Sequence, residues 1–419
     1  MNHKSKILVF LLSFIIVLYG VSAAFYGKVV AKDDAYKELD VFMNVLKRIN
    51  EDYVETPDMN KVQEGAMRGL VAALDPYCSF LTKEQYDALQ KRAANGNAGI
   101  GIIISKRSDV LYVVSCERNS PAAEAGVRPG DYLIAVDGRS VEDESIPEVE
   151  SLLRGAPGSK VKVTIFRNSR TKPLDLEMNF QDRPSTPVSS RMLDANVGLL
   201  EVSSLAGNSV EQAKLKLKTL ISAGAEKIVL DLRNCADGEP SAGAELANYF
   251  LKAGIIYYSQ NREGEKVQIV EASPEKHVTD IPAVVLINGS TAGAAEIAAG
   301  ALKDDKRAAV VGEKSFGLGS AQRTIKLKSG AILILSIAKY CTPGGKIIQD
   351  EVLRKTGILP DVQAPDEDRR QDLAVESFYD SDQDDMEKYR QLQEKIDKIQ
   401  MEKALEVLST SQMPARKAA

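Results

Sequence analysis

Histidine is close to absent from this chain of 419 residues, which carries His3 in its leader and His277 in a polar stretch, "EKHVTD", that reads as a solvated surface loop. That scarcity excludes HExxH-type metal sites, and it leaves a Ser-His-Asp triad without the positioned imidazole it needs. Hydrolytic chemistry here would have to use a lysine or a carboxylate as its base. Cysteine is sparse too. Cys78, Cys116, Cys235 and Cys341 lie far apart with no CxxC pair, and four thiols allow about three disulfide pairings between which spacing does not choose. Cys116, inside the apolar run "LYVVSCE", reads as a small buried hydrophobe. A basic excess is also missing: the net charge is -5, and no Lys/Arg patch interleaves with aromatics, so nucleic acid is excluded as a partner. Neither a metal site nor a cofactor motif stands out, and no internal repeat is evident.

What is present is ordinary globular composition, 44% apolar and 27% charged, in a chain long enough for about two to four domains. The N-terminus opens with Lys4 and Lys6, an apolar run from Ile7 to Tyr19, and then Val21, Ser22, Ala23 and Ala24. This is the tripartite pattern of a secretory signal, with cleavage expected after Ala23. The same residues 1–26 are also long enough to anchor the chain in a bilayer with the lysines inside. Either way the remainder is expected to be extracytoplasmic, in the periplasm or cell envelope, with membrane contact only through this segment.

Residues 35–92 read as a helical module. Leu39, Phe42, Met43, Leu46 and Ile49 fall on one helical stripe, "NKVQEGAMRGLVAAL" gives a second helix closed by Asp75-Pro76, and Thr82 with Gln85 forms a capping box for a third. After the "RAANGNAG" linker, residues 97–170 hold short strands, the run "SPAAEAGVRPGDYLIAVDG", a helix and a closing strand. That order and motif resemble a PDZ domain. In such a domain Gly99, Ile100, Gly101 and Ile102 are the peptide-binding residues. The two glycines are expected to leave loop N–H groups free for a C-terminal carboxylate, and the adjacent strand offers an edge for β-augmentation.

Beyond "RPSTPV", residues 183–365 alternate near-continuous Val/Ile/Leu runs with helices, the pattern of buried parallel strands in an α/β core. Residues 366–419 are an acidic linker and a helix placing Leu392, Ile396 and Ile399 on one stripe. That helix is expected to pack on a partner protomer or on the N-terminal module.

The order of "LDPYCSFL", the PDZ motif, "VLDLRN", "INGSTAGAAEI", "VVGEKSFGLGSAQ", "YCTPGGKIIQ" and "GILPDV" resembles the carboxy-terminal processing (tail-specific) proteases, serine endopeptidases with a Ser/Lys dyad. The resemblance implies a multidomain α+β chain. It would comprise a helical module, a PDZ domain, a crotonase/Clp-like α/β protease core and a C-terminal helix, with helical ends that serve dimerisation.

Carried over residue by residue, it places the nucleophile at Gly293, three before Glu296, and the base at Leu318, while the family's Gln is retained as Gln322. The oxyanion Gly-Gly reads Asp237-Gly238. Acyl transfer needs an attacking heteroatom and a proton acceptor. Glycine supplies no heteroatom, leucine no acceptor, and Asp237 would set a negative charge where negative charge develops. Ser290 and Thr291 are the nearest substitute hydroxyls, though both read as residues of a helix-entry turn. Two further thoughts have less support: Cys235 or Cys341 working with His277, and a non-peptide ligand in an enlarged apolar pocket.

The expectation is therefore an exported, catalytically silent homologue. It would bind polypeptide C-termini as adaptor or regulator, pair with an active paralogue, and form a homo-oligomer without cofactor or metal. An active endopeptidase with an atypical nucleophile is the alternative.

Overall fold

The computed structural model describes residues 39–410 apart from residue 97 and the segments 108–109, 168–171, 183–187, 351–355 and 367–385. The leader at 1–26, most of the "RPSTPV" boundary, the acidic linker and the last residues lie outside the described residues. The chain divides into two compact units, Met1–Met67 and Arg68–Ala419. In the first, residues 39–52 form helix α1, whose Phe42, Leu46 and Ile49 are half-buried while Leu39 and Met43 are exposed. Helix α2 (Met59–Ala72) contains the dividing point.

In the second unit the end of α2 is followed by a turn capped by Asp75, whose Oδ1 accepts the Tyr77 and Cys78 amides. Strand β1 (Ser79–Leu81) and helix α3 (Lys83–Asn95) follow. Thr82 and Gln85 form the expected reciprocal capping box, with bonds of 3.2 and 2.7 Å.

The PDZ fold comprises β2 (Ala98–Gly99), β3 (Ile102–Arg107), β4 (Val110–Cys116), α4 (Pro121–Ala125), β5 (Tyr132–Val136), β6 (Arg139–Ser140), α5 (Ile146–Leu152), β7 (Arg154–Gly155), β8 (Lys160–Phe166) and β9 (Leu174–Asn179). Its main sheet runs β3-β4-β5-β8-β9, leaving β3 at an edge. Strand β9 and the buried Phe180 belong to this domain and extend it past residue 170. The sequence motif has a mechanical explanation. Ser120 caps α4, Gly126 ends it in the left-handed region (φ 94°), and Asp131 accepts from the Arg128 amide while pairing with Arg167 at 2.7 Å. A buried carboxylate and guanidinium thus satisfy each other and close the loop.

The core contains β10 (Val188–Met192), β11 (Val197–Val202), α6 (Ser209–Ser222), β12 (Lys227–Asp231), α7 (Pro240–Asn248), β13 (Ile255–Gln260), β14 (Lys266–Glu271), β15 (Ala283–Ile287), α8 (Ala294–Asp304), β16 (Ala308–Gly312), β17 (Ser320–Lys326), β18 (Ile332–Cys341), β19 (Val362–Gln363) and α9 (Met386–Ser409). One sheet runs β10-β11-β12-β15-β16-β19, parallel except for β10. Its neighbouring rows face opposite ways, as a two-residue period requires. Leu200, Leu230, Val285 and Val310 join the cluster under α6, α7 and α8, whereas Leu199, Val229, Val284 and Ala309 face Ala404, Val407 and Leu408 of α9. A second, antiparallel sheet runs β1-β18-β13-β14, with β17 also on β18.

Helix α9 therefore packs Ala404, Val407 and Leu408 on the core sheet of its own chain. The buried Arg233 fixes it by donating to Asp397 at 2.9 Å and to Gln400 at 3.0 Å while holding Asp231. His277 corrects another expectation: its side chain is only 11% exposed and its Nε2 lies 3.4 Å from Asp280. All four cysteines are free thiols.

Candidate active site

Strand β15 ends in a turn, 288–293, that feeds α8. The turn is held from both sides. Asn288 accepts from the Asn234 and Ser290 amides and donates to the Asn234 side chain, while the Thr291 carbonyl accepts the Phe316 amide at 3.0 Å. Gly293 sits at the N-cap of α8 with φ 59° and ψ −117°, a strained conformation for any residue with a side chain. A sharp strand-to-helix turn of this kind is how α/β hydrolases expose a nucleophile.

Glu296 organises the floor beneath it. One oxygen accepts the Gly293 amide (2.9 Å) and the Leu318 amide (2.8 Å); the other accepts the Gly317 amide (2.7 Å) and the Ser315 hydroxyl. A single carboxylate therefore fastens the helix-entry turn to the 313–319 loop. Burial pushes its pKa up to about 7, against the pull of those four donors. As a result the residues at 293 and 318 are neighbours: a Cβ on Gly293 would lie 3.6 Å from Leu318 Cδ2, with nothing else within 4 Å. Leu318 and Phe316 pack with Ile103, Tyr112 and Val114 of the PDZ domain.

The substitute hydroxyls point elsewhere. Thr291, fully buried, donates to the Leu232 carbonyl at 2.8 Å; Ser290 donates to the Val114 carbonyl at 2.8 Å and so links the core to the PDZ domain. Asp237 turns its carboxylate onto the loop after β11, accepting from the Ser204 hydroxyl (2.8 Å) and the Leu205 amide (3.1 Å). Gly238 (φ 99°) has no room for a side chain, since a Cβ would reach 2.7 Å from Leu205. Gln322 donates to the Tyr77 carbonyl at 3.0 Å. Cys235 is fully buried, and burial holds its thiol far above the usual range; it reads as structural.

Gly293, Leu318, Gln322, Asp237 and Gly238 help line a cavity of about 990 Å³. A second cavity of about 600 Å³ lies beside it along the PDZ groove, lined by Gly99, Ile100, Gly101 and Ile102. Ile103, Ile104, Glu150, Arg154 and Asp237 belong to both walls. Gly99 does not supply the free amide expected of it, because its N–H donates to the Gln181 carbonyl at 2.9 Å. Gly101 (φ 80°) is demanded by packing: a Cβ would sit 2.2 Å from Ser120 Cβ.

The order of a PDZ domain followed by this α/β core has counterparts among known proteins. Residues 196–364 match the model of peptidase family S41, and residues 112–167 match a PDZ domain model. The carboxy-terminal processing protease CtpA of Bacillus subtilis is 31% identical over 78% of this chain and 69% of its own length. The carboxyl-terminal-processing protease of Synechocystis is 34% identical over 75% of this chain and 74% of its own length. Among solved structures, the photosystem II D1 C-terminal processing protease superposes with a TM-score of 0.63 at 27% identity, covering 77% of this chain and 92% of that one. This chain belongs to the carboxy-terminal processing protease family.

Family membership agrees with the observed fold. Positions 293 and 318, singled out from the sequence, are neighbours in the fold, and Glu296 entered the sequence reading only as a landmark. The available signal was a lone carboxylate in the otherwise apolar helix "AAEIAAGAL". Glu150, on the wall shared by both cavities, was also passed over.

Proposed function

We propose that this chain is a catalytically silent carboxy-terminal processing protease homologue that binds polypeptide in the cleft between its PDZ domain and its protease-like core. One observation carries the reading. At the two facing positions where the family's dyad chemistry needs a nucleophile and a base, Gly293 has no side chain and Leu318 offers only methyl groups, 3.6 Å from where a Cβ would stand. The nearest hydroxyls, on Ser290 and Thr291, are spent on backbone carbonyls. In a well-studied serine protease, loss of the nucleophile alone costs roughly a millionfold in kcat. A role as adaptor or regulator follows from binding without turnover. Location outside the cytoplasm is part of the same proposal and rests on the Lys-led apolar segment at residues 4–26.

The test is to incubate the purified protein with an unfolded substrate bearing an apolar C-terminus and to follow fragments by mass spectrometry. No fragments above the substrate-only control are expected. Cleavage that disappears on Thr291→Ala or Ser290→Ala would overturn the reading in favour of an atypical nucleophile.

A further inference from the structure

The two adjoining cavities are unbalanced in charge. Their walls carry Glu117 and Asp182 at the PDZ end, Glu150 and Asp237 on the shared stretch, and Glu211, Glu239 and Glu245 at the core end; Arg154 is the one cation among the described lining residues. Some of these acids are already satisfied. Asp237 is held by Ser204 and Leu205, and Glu245 meets Lys276 at 3.1 Å from outside the cleft. Glu150 is different. It is half-buried on α5, facing the groove beside the free edge of β3, and it has no hydrogen bond or ion pair among the described residues. Glu239, exposed at the mouth of the deeper cavity, is also without such a partner.

Taking a carboxylate out of water without a partner is costly, and a cation delivered by a ligand relieves that cost. Burial raises the Glu150 carboxyl above its ordinary range, with Arg154 opposing the shift. Carboxylate-lined clefts also concentrate cationic ligands. A strand added to the edge of β3 would present alternate side chains to α5.

We infer that the cleft selects extended polypeptide segments bearing lysine or arginine, laid along β3 with a cationic side chain at Glu150 and another toward Glu239. This rests on the peptide-binding reading and adds the class of sequence that is bound. A free polyamine shares the charge but lacks a backbone to pair with β3, so it should compete poorly.

The experiment uses the intact protein and three fluorescent octapeptides with free C-termini, identical except for Lys/Arg, Ser or Glu at alternate positions. Affinity is read by anisotropy at low and high salt. The basic peptide is expected to bind about tenfold tighter than the Ser peptide and to lose most of that advantage between 50 and 500 mM NaCl, as roughly 10 Å screening lengths shrink several-fold. Glu150→Gln and Glu239→Gln should each reduce the preference about threefold or more, and Arg154→Gln should increase it. Equal binding of all three peptides, or a preference untouched by the two glutamate variants, overturns the inference and leaves peptide binding standing. Spermine displacing the basic peptide as well as unlabelled peptide does would also overturn it. Failure of every peptide to bind defeats the underlying reading and this inference together. Cleavage would defeat the silent-enzyme reading, while the order of affinities would still decide this one.

Discussion

Two regions of one cleft treat a carboxylate in opposite ways. Beneath the turn at 293, Glu296 is fully buried and receives four hydrogen bonds, three from backbone amides and one from Ser315. On the PDZ wall, Glu150 is half-buried and receives none among the described residues. Burial raises the pKa of both, but the consequences diverge. A carboxylate surrounded by donors from two chain segments is a fastener, and its removal strands the donors. A carboxylate facing a groove with no donors is a receptor, and its removal costs the fold little. The turn at 293 and the 313–319 loop are thus held together under full hydrogen bonding, while the side chains at 293 and 318 bring no polar atom of their own.

The comparison breaks most decisively at Glu296. Replacing it with Ala should destabilise the protein by about 3–5 kcal/mol, because three amides and a hydroxyl lose their acceptor inside a dry interior. Glu296→Gln, which keeps the volume and one acceptor, should lose less. The pH dependence has a defined sign. The folded pKa of about 7 lies above the ordinary 4.5, so this group's contribution is fully present below pH 4.5 and is lost as pH rises through 7. Chemical denaturation at several pH values should show stability from this group falling with rising pH, by up to about 1.4 kcal/mol per pH unit between pH 5 and 7. Glu296→Gln should flatten that slope. A slope unchanged in the variant would show that the carboxylate is not the titrating group.

A second effect tests whether the frame still works. Gly293→Ser with Leu318→Lys and Asp237→Gly should bring cleavage of an unfolded substrate at least tenfold above the wild-type background. The geometry gives the reason: a side chain at 293 meets residue 318 and nothing else within 4 Å. The strain of placing Ser at φ 59° should appear as about 1–3 kcal/mol of lost stability. A triple variant that folds, pays that strain and still cuts nothing would mean the frame has shifted away from productive geometry.

Much of this was legible in the sequence, and the reasons are local. Val197–Val202, Ala283–Ile287 and Ala308–Gly312 are unbroken or nearly unbroken apolar runs, the mark of strands buried on both faces. Thr82-x-x-Gln85 announced its own cap. What stayed hidden depended on partners far along the chain. The Gly99 amide is taken by Gln181, which no motif links to it. Helix α9 docks through Ala404, Val407 and Leu408, and alanine is too small to mark a seam that the Leu392, Ile396 and Ile399 stripe seemed to mark better. His277 lies in a polar loop as its neighbours suggest, yet only the fold reveals that the loop covers it. Glu150 looked like one more polar residue on a short helix; only the groove beside α5 distinguishes it.

The smallest effect sharpens the comparison by its sign. Glu150→Gln removes an ionised group whose burial nothing offsets except the nearby Arg154. At pH values high enough to ionise the wild-type carboxyl the variant should therefore be as stable as wild type or more stable by up to about 1 kcal/mol, while binding basic peptides more weakly. The gain should fade as pH falls and the wild-type carboxyl takes up its proton, since a raised folded pKa penalises only the charged form. Stability gained with binding lost is the signature of a residue kept for its ligand. If Glu150→Gln instead unfolds the protein as readily as Glu296→Gln does, Glu150 is a second fastener, and the two sides of the cleft are alike.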